Sequence, residues 1–197
     1  MIARIAAILM IGIAIFWFLG SDIEHIEDTN GPDDYSLAVI TEEDIFAKGA
    51  NWIPCDALPG RMSNERYENL LESARLANMN MIRVWGGGFY EKDIFYELCD
   101  KKGLMVWQDM MFACGVYPDW KEFIDNVRAE VKHQVKRLRS HPSIAMWCGD
   151  NECGGFLRCI GQKELPWVLN YDRFNQAVGK AVKAADDTRV FWPTSPC

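Results

Sequence analysis

From Ile45 onward, apolar residues recur along the chain in two alternating rhythms. Tyr67, Leu70, Leu71, Ala74 and Ala77 follow helical spacing after Ser63, a residue type that caps helix N-termini. Ile94, Phe95 and Leu98 form a second stripe, which ends near Gly103, a residue suited to a left-handed C-cap. Phe123, Val127, Val131, Val135 and Leu138 stripe a long third helix that must stop before Pro142. Phe174, Val178, Ala181, Val182 and Ala185 mark a fourth, with Asp172 as its candidate cap. Between these stripes lie short β-prone runs: "IFAKGANWI", "MIRVW", "LMVW", "IAMWC" and "VFW". The predicted order is β-α-β-α-β-α-β-α-β. Short strands that are apolar on both faces and separated by helices imply parallel strands with helical crossovers. An open doubly wound sheet and part of an eight-stranded barrel both fit, and in both the ligands bind at the carboxyl ends of the strands.

The first 44 residues break this rhythm. Arg4 is followed by an unbroken apolar stretch from Ile5 to Leu19, short for a spanning helix and long for a signal core. Residues 1–21 are therefore expected to be a signal peptide or a membrane anchor, and either sends the rest of the chain into the secretory pathway. Residues 22–44 are acidic, contain the turn-prone "NGPDD" and are expected to be a linker, with one strand in "YSLAVI". The formal charge of −7 offers no basic field for nucleic acid. Seven cysteines are an odd number, so at least one thiol is unpaired within the chain. No C-x-x-C pair occurs and the three histidines lack metal-ligand spacing, so neither a metal nor a cofactor is expected.

Polar, acidic and aromatic residues collect just after the strands. "MIRVW" is followed by Gly86-Gly87-Gly88, "LMVW" by Gln108 and Asp109, "IAMWC" by Gly149, Asp150, Asn151 and Glu152, and "VFW" by Pro193, Thr194 and Ser195. The triple glycine reads as a tight turn rather than a phosphate cradle, because no lysine with Ser/Thr follows at P-loop spacing. Arg83 either pairs with a buried acid, faces a substrate hydroxyl or orients a catalytic carboxylate. Asp109 is a candidate turn cap. Trp85 and Trp107 either fill the interior or line a cleft. Glu152 carries the sharpest chemistry. Glycoside hydrolysis needs a carboxylic acid that protonates the leaving oxygen and a second carboxylate across the sugar, and partial burial among aromatics raises the acid's pKa. Asp150, two residues away, lies on the same side and reads as a supporting residue.

"IFAKGANWIP", "ANMNMIRVWGGGFYE", "FYELCDKKGLMVWQDMMFAC" and "HPSIAMWCGDNE" resemble the catalytic domain of β-mannosidases among family 2 glycoside hydrolases, and "FWPTSPC" resembles that domain's next strand. The resemblance covers residues 45–197. It implies an α/β fold, an incomplete (β/α)8 TIM barrel of about strands one to five behind an N-terminal apolar segment, and a retaining mechanism acting on terminal β-mannosides. Glu152 falls on the general acid/base and Asn151 on its substrate-contacting neighbour. Arg83, Trp85, Trp107 and Asp109 fall on the lining of the sugar subsite. The family's nucleophile, a glutamate at the end of strand seven, has no counterpart here, and neither have the β-sandwich domains that precede the barrel. The expectation is an incomplete catalytic domain, poorly stable and nearly inactive alone, reaching the lysosome or the cell exterior and touching a membrane only if its N-terminus is uncleaved. A truncated, non-catalytic relative that binds sugar or protein is the alternative. An unrelated phosphate-binding α/β enzyme is weaker, because its motif companions are missing.

Overall fold

A computed structural model describes residues 7–10, 13–18, 45–154 and 166–195. Its strands are β1 (Ala7–Met10), β2 (Ile13–Phe18), β3 (Ile45–Trp52), β4 (Met81–Val84), β5 (Met105–Asp109), β6 (Ile144–Cys148) and β7 (Val190–Trp192). The helices are α1 (Asn64–Leu76), α2 (Asp93–Lys102), α3 (Lys121–Leu138) and α4 (Pro166–Ala185). The strands follow chain order in a single sheet, and β3 to β7 are the five parallel strands that the alternating pattern predicts. Within the apolar N-terminal segment, β1 pairs antiparallel with β2, and β2 with β3, with Ala14 opposite Gly49. The apolar pattern does not predict that pairing. Among the described residues no helix is long and apolar enough to cross a membrane. The linker predicted at 22–44, including "YSLAVI", lies outside the described residues.

Two of the helix ends are set where the sequence marks them, and one is not. The Ser63 hydroxyl accepts the Arg66 N–H at the head of α1. Gly103 ends α2 in the left-handed conformation, φ 67°, which costs a residue without Cβ little. Asp172 does not cap α4. The helix begins at Pro166, more than a turn upstream, so Asp172 lies inside it. Proline is well suited to a first helical turn, where its missing N–H has no partner to lose.

The described chain divides into two compact units. The first takes in the described residues up to Arg83, Glu91–Val106 and Ser140–Ala145. Its core joins Tyr67 and Leu71 of α1 to Phe95 and Leu98 of α2, with the Trp52 and Phe95 rings 4.8 Å apart. Buried Glu91 accepts the Trp52 indole N–H at 2.9 Å and the Tyr67 hydroxyl at 2.5 Å. Gly49 is required in β3 because a Cβ there would stand 1.8 Å from the Met81 carbonyl oxygen.

The second unit comprises Val84–Tyr90, Trp107–Arg139 and the described residues from Met146 onward. Val127, Val131 and Val135 of α3 and Phe174, Val178 and Val182 of α4 are buried here. The Phe112 ring meets Phe174 edge-on at 4.8 Å. The Trp147 indole N–H donates to Asp186 at 2.9 Å, and Asp186 also pairs with Arg189 at 2.8 Å. Trp107 and Trp147 are fully buried, whereas Trp120 is exposed.

Candidate active site

The ends of β5, β6 and β7 in the second unit are tied together by backbone hydrogen bonds. The Met110 N–H donates to the Cys148 carbonyl at 2.7 Å, and the Gly149 N–H to that of Trp192 at 2.8 Å. Beyond the strands, Asn151 bridges Ala113 on one side and Ser195 on the other. Its N–H donates to Phe112, and the Glu152 N–H donates to the Ser195 carbonyl, both at 2.9 Å. The "GDNE" segment is therefore held by main-chain bonds from both neighbours before any side chain contributes.

Glu152 sits at the outer end of this arrangement with φ 63°. Its side chain is exposed, so the burial expected of a proton donor is not found there. Burial falls two residues earlier, on Asp150, which is 0% exposed. Asp150 accepts from the Thr194 hydroxyl at 2.5 Å, the Tyr171 hydroxyl at 2.8 Å and the Cys153 N–H at 3.0 Å. Burial pushes its carboxyl above the ordinary aspartate range, and these hydrogen bonds only partly counter it. Asn151 is buried with its amide toward the Cys114 sulfur at 3.4 Å. Cys114 is exposed, and its thiol lies 3.5 Å from Glu152 Oε2. Burial first, and then the Glu152 carboxylate, raise the thiol's pKa. Sequence reasoning did not single out Cys114. Its only sequence signal is its place in the loop after β5.

The other expected lining residues divide between the two units. Trp85 is half-buried in the second. Trp107 and Asp109 are buried there and bonded to each other, with the indole N–H donating to Asp109 Oδ1 at 2.9 Å. Asp109 Oδ2 accepts the Gly86 N–H at 3.0 Å. Asp109 thus holds the preceding glycine turn, whereas a cap on the following one was expected. The Gly88 N–H closes that turn onto the Trp85 carbonyl at 3.0 Å, and a Cβ on Gly86 would come within 2.7 Å of two carbonyl oxygens. The glycines serve a tight turn and close approach, as their spacing suggested. Arg83 is buried in the first unit, where Nη1 donates to Asn51 Oδ1 at 3.3 Å. Among the described residues no cluster of His, Cys, Asp and Glu could hold a metal, and all five cysteines are free thiols. Cys159 and Cys197 lie outside them.

A row of polar groups at the ends of parallel strands is where α/β folds place their chemistry. The model of the TIM barrel domain of glycosyl hydrolases family 2 matches residues 34–192. The chain belongs to that family. Among family 2 proteins, it is 59% identical to the β-mannosidase of Bos taurus over 158 residues, 77% of this chain and 18% of that protein. The β-mannosidase of Capra hircus is 58% identical over the same shares. The crystal structure of the β-D-mannosidase from Dictyoglomus thermophilum superposes with a TM-score of 0.72 at 42% identity, over 89% of this chain and 22% of that one. A Bacteroides uniformis β-glucuronidase superposes at 0.61 with 16% identity, a likeness of fold alone. The chain thus spans about a fifth of the length of the relatives it matches, and its five parallel strands correspond to part of the family's barrel.

Proposed function

We propose that this chain carries the acid/base half of a retaining β-mannosidase site. The carrying observation is Glu152, exposed at a strand end beside buried Asn151 and held by main-chain bonds from both neighbours. In this reading Glu152 protonates the glycosidic oxygen as the bond to the sugar breaks, then takes a proton from the water that releases it. Asn151 contacts the sugar, Trp85 lines the subsite, and Trp107 and Asp109 form its buried support. A retaining mechanism places the second carboxylate about 5–5.5 Å from the first. Asp150, buried and saturated with donors, is unsuited to that role, and the nucleophile is supplied from outside these residues. Likeness to β-mannosidases supports a terminal β-mannoside of an oligosaccharide or glycoconjugate as the substrate. The apolar N-terminus supports a secretory route to the lysosome or the exterior, with membrane contact if it is not cleaved.

The test is a chimera in which residues 45–195 replace the matched segment of the Dictyoglomus thermophilum enzyme. The expected result is hydrolysis of an aryl β-mannoside with β-mannose as the first product seen by NMR, while the isolated chain shows no turnover. First release of α-mannose, or robust turnover by the isolated chain, would overturn this reading.

A further inference from the structure

Glu152 is one of three non-glycine residues among those described that have positive φ, and the only one at the proposed reacting position. A residue with a Cβ is strained there and glycine is not, so something must impose the conformation. The main-chain bonds of Asn151 and Glu152 to Phe112 and Ser195 fix where the segment runs, and none of these bonds reaches past Glu152; the Cys153 thiol donates to the Asn151 carbonyl at 3.6 Å. The Asp150 carboxylate reaches the main chain beyond Glu152. Its Oδ1 reaches over Asn151 and Glu152 to accept the Cys153 N–H at 3.0 Å, closing a side-chain turn around them.

The same carboxylate is anchored from two further elements. The Thr194 hydroxyl, beyond β7, donates to Oδ1 at 2.5 Å. From α4, the Tyr171 hydroxyl and the Asn175 amide donate to Oδ2 at 2.8 and 3.4 Å. Asn175 is fixed in turn by the Pro193 carbonyl at 2.6 Å. The anchor is packed tightly as well, because a Cβ on Gly154 would meet the Tyr171 ring at 2.4 Å.

We propose that Asp150 is a positioning residue: held by donors from α4 and from the segment after β7, its carboxylate closes the turn that imposes left-handed backbone on Glu152 and so aims the Glu152 carboxylate outward. That a carboxylate so aimed protonates a leaving group rests on the function proposed above. The backbone conformation does not depend on it, and it can be tested without turnover.

The test is a set of melts of the full chain carrying Glu152→Gly or Glu152→Ala, each with Asp150 intact and with Asp150→Ala. With Asp150 intact, the glycine variant should melt higher by about 2–8 °C, the left-handed penalty of an alanine in a chain of this size. With Asp150→Ala the glycine advantage should vanish or reverse, because the released turn relaxes to a conformation alanine tolerates and glycine's greater unfolded-state entropy then counts against it. A carboxylate that merely stabilised the fold would lower both melts equally and leave the gap open. An unchanged gap, or no glycine advantage with Asp150 intact, overturns the proposal. If Asp150→Ala gives no cooperative melt, Thr194→Val replaces it by removing the closest donor. The gap should then shrink to half or less, and an undiminished gap overturns the proposal equally.

Discussion

Asp109→Ala isolates a part of the site that is fully cut off from water. Asp109 is 0% exposed and Trp107 1% exposed. The substitution removes the acceptor of the Trp107 indole N–H at 2.9 Å and of the Gly86 N–H at 3.0 Å. Leaving a buried donor without a partner costs about 1–3 kcal/mol, so the two together should cost about 2–6 kcal/mol. The lower end applies if water enters the space left by the carboxylate. Set against a typical total of about 5–15 kcal/mol, that is a large share. Asp109→Asn preserves the shape and one acceptor but turns an N–H toward the other donor, and should cost about half as much. Urea denaturation of the three proteins followed by tryptophan fluorescence measures both differences, with an unchanged slope required for the comparison. A cost below about 1 kcal/mol for Asp109→Ala would refute the claim that this carboxylate holds the glycine turn.

Cysteine reactivity and carboxyl titration probe the same geometry in two further ways. Among the five described cysteines, Cys114 should be alkylated first by iodoacetamide in peptide-resolved mass spectrometry, because Cys99, Cys148 and Cys153 are buried and Cys55 is half-buried. Its rate should rise toward alkaline pH, and Glu152→Gln should speed it at neutral pH by removing the carboxylate that opposes the thiolate. Carboxyl-carbon NMR should find Asp150 titrating above the ordinary aspartate value of about 3.9 and Asp186 below it. For Asp150, burial outweighs its hydrogen bonds. For Asp186, burial is outweighed by the bonds from Thr188 and Trp147 and by the Arg189 charge. The linked stabilities have opposite signs. Folded Asp150 binds its proton more tightly than the unfolded chain, so its contribution falls as pH rises from the ordinary value through the raised one. Asp186 stabilises the fold above the ordinary value, and that contribution is lost as pH drops through its lowered one. Midpoints in the reverse order would refute both assignments.

The order of elements was legible because each helix shows one apolar stripe and each strand an uninterrupted apolar run, and both are local. The start of α4 was misread for an equally local reason. Asp172 looked like a cap, but Val168 and Tyr171 are buried and extend the stripe back to Pro166. The pairing of β2 with β3 depends on partners about 30 residues apart, which periodicity does not register. At the site, the strand-end position of Glu152 and Asn151 could be read directly, because a strand end is a change of pattern. The exposure and positive φ of Glu152 could not, since no glycine marks the turn. The role of Asp150 was equally hidden, because its donors lie up to 44 residues along the chain. In sequence Asp109 reads as a cap for the turn on its C-terminal side. Its real partners, Gly86 and Trp107, come before it in the chain.

The central claim is that Glu152 is the proton donor, and leaving-group dependence tests it most directly. In the chimera with the Dictyoglomus thermophilum enzyme, Glu152→Gln should be compared with its parent on a β-mannoside with a poor alkyl leaving group and on one with an activated aryl leaving group. Proton donation by a positioned side chain contributes about 10²–10⁴-fold where the leaving group needs it. The account predicts a loss of that order on the poor leaving group and a much smaller loss on the activated one. Equal losses on both substrates would contradict it.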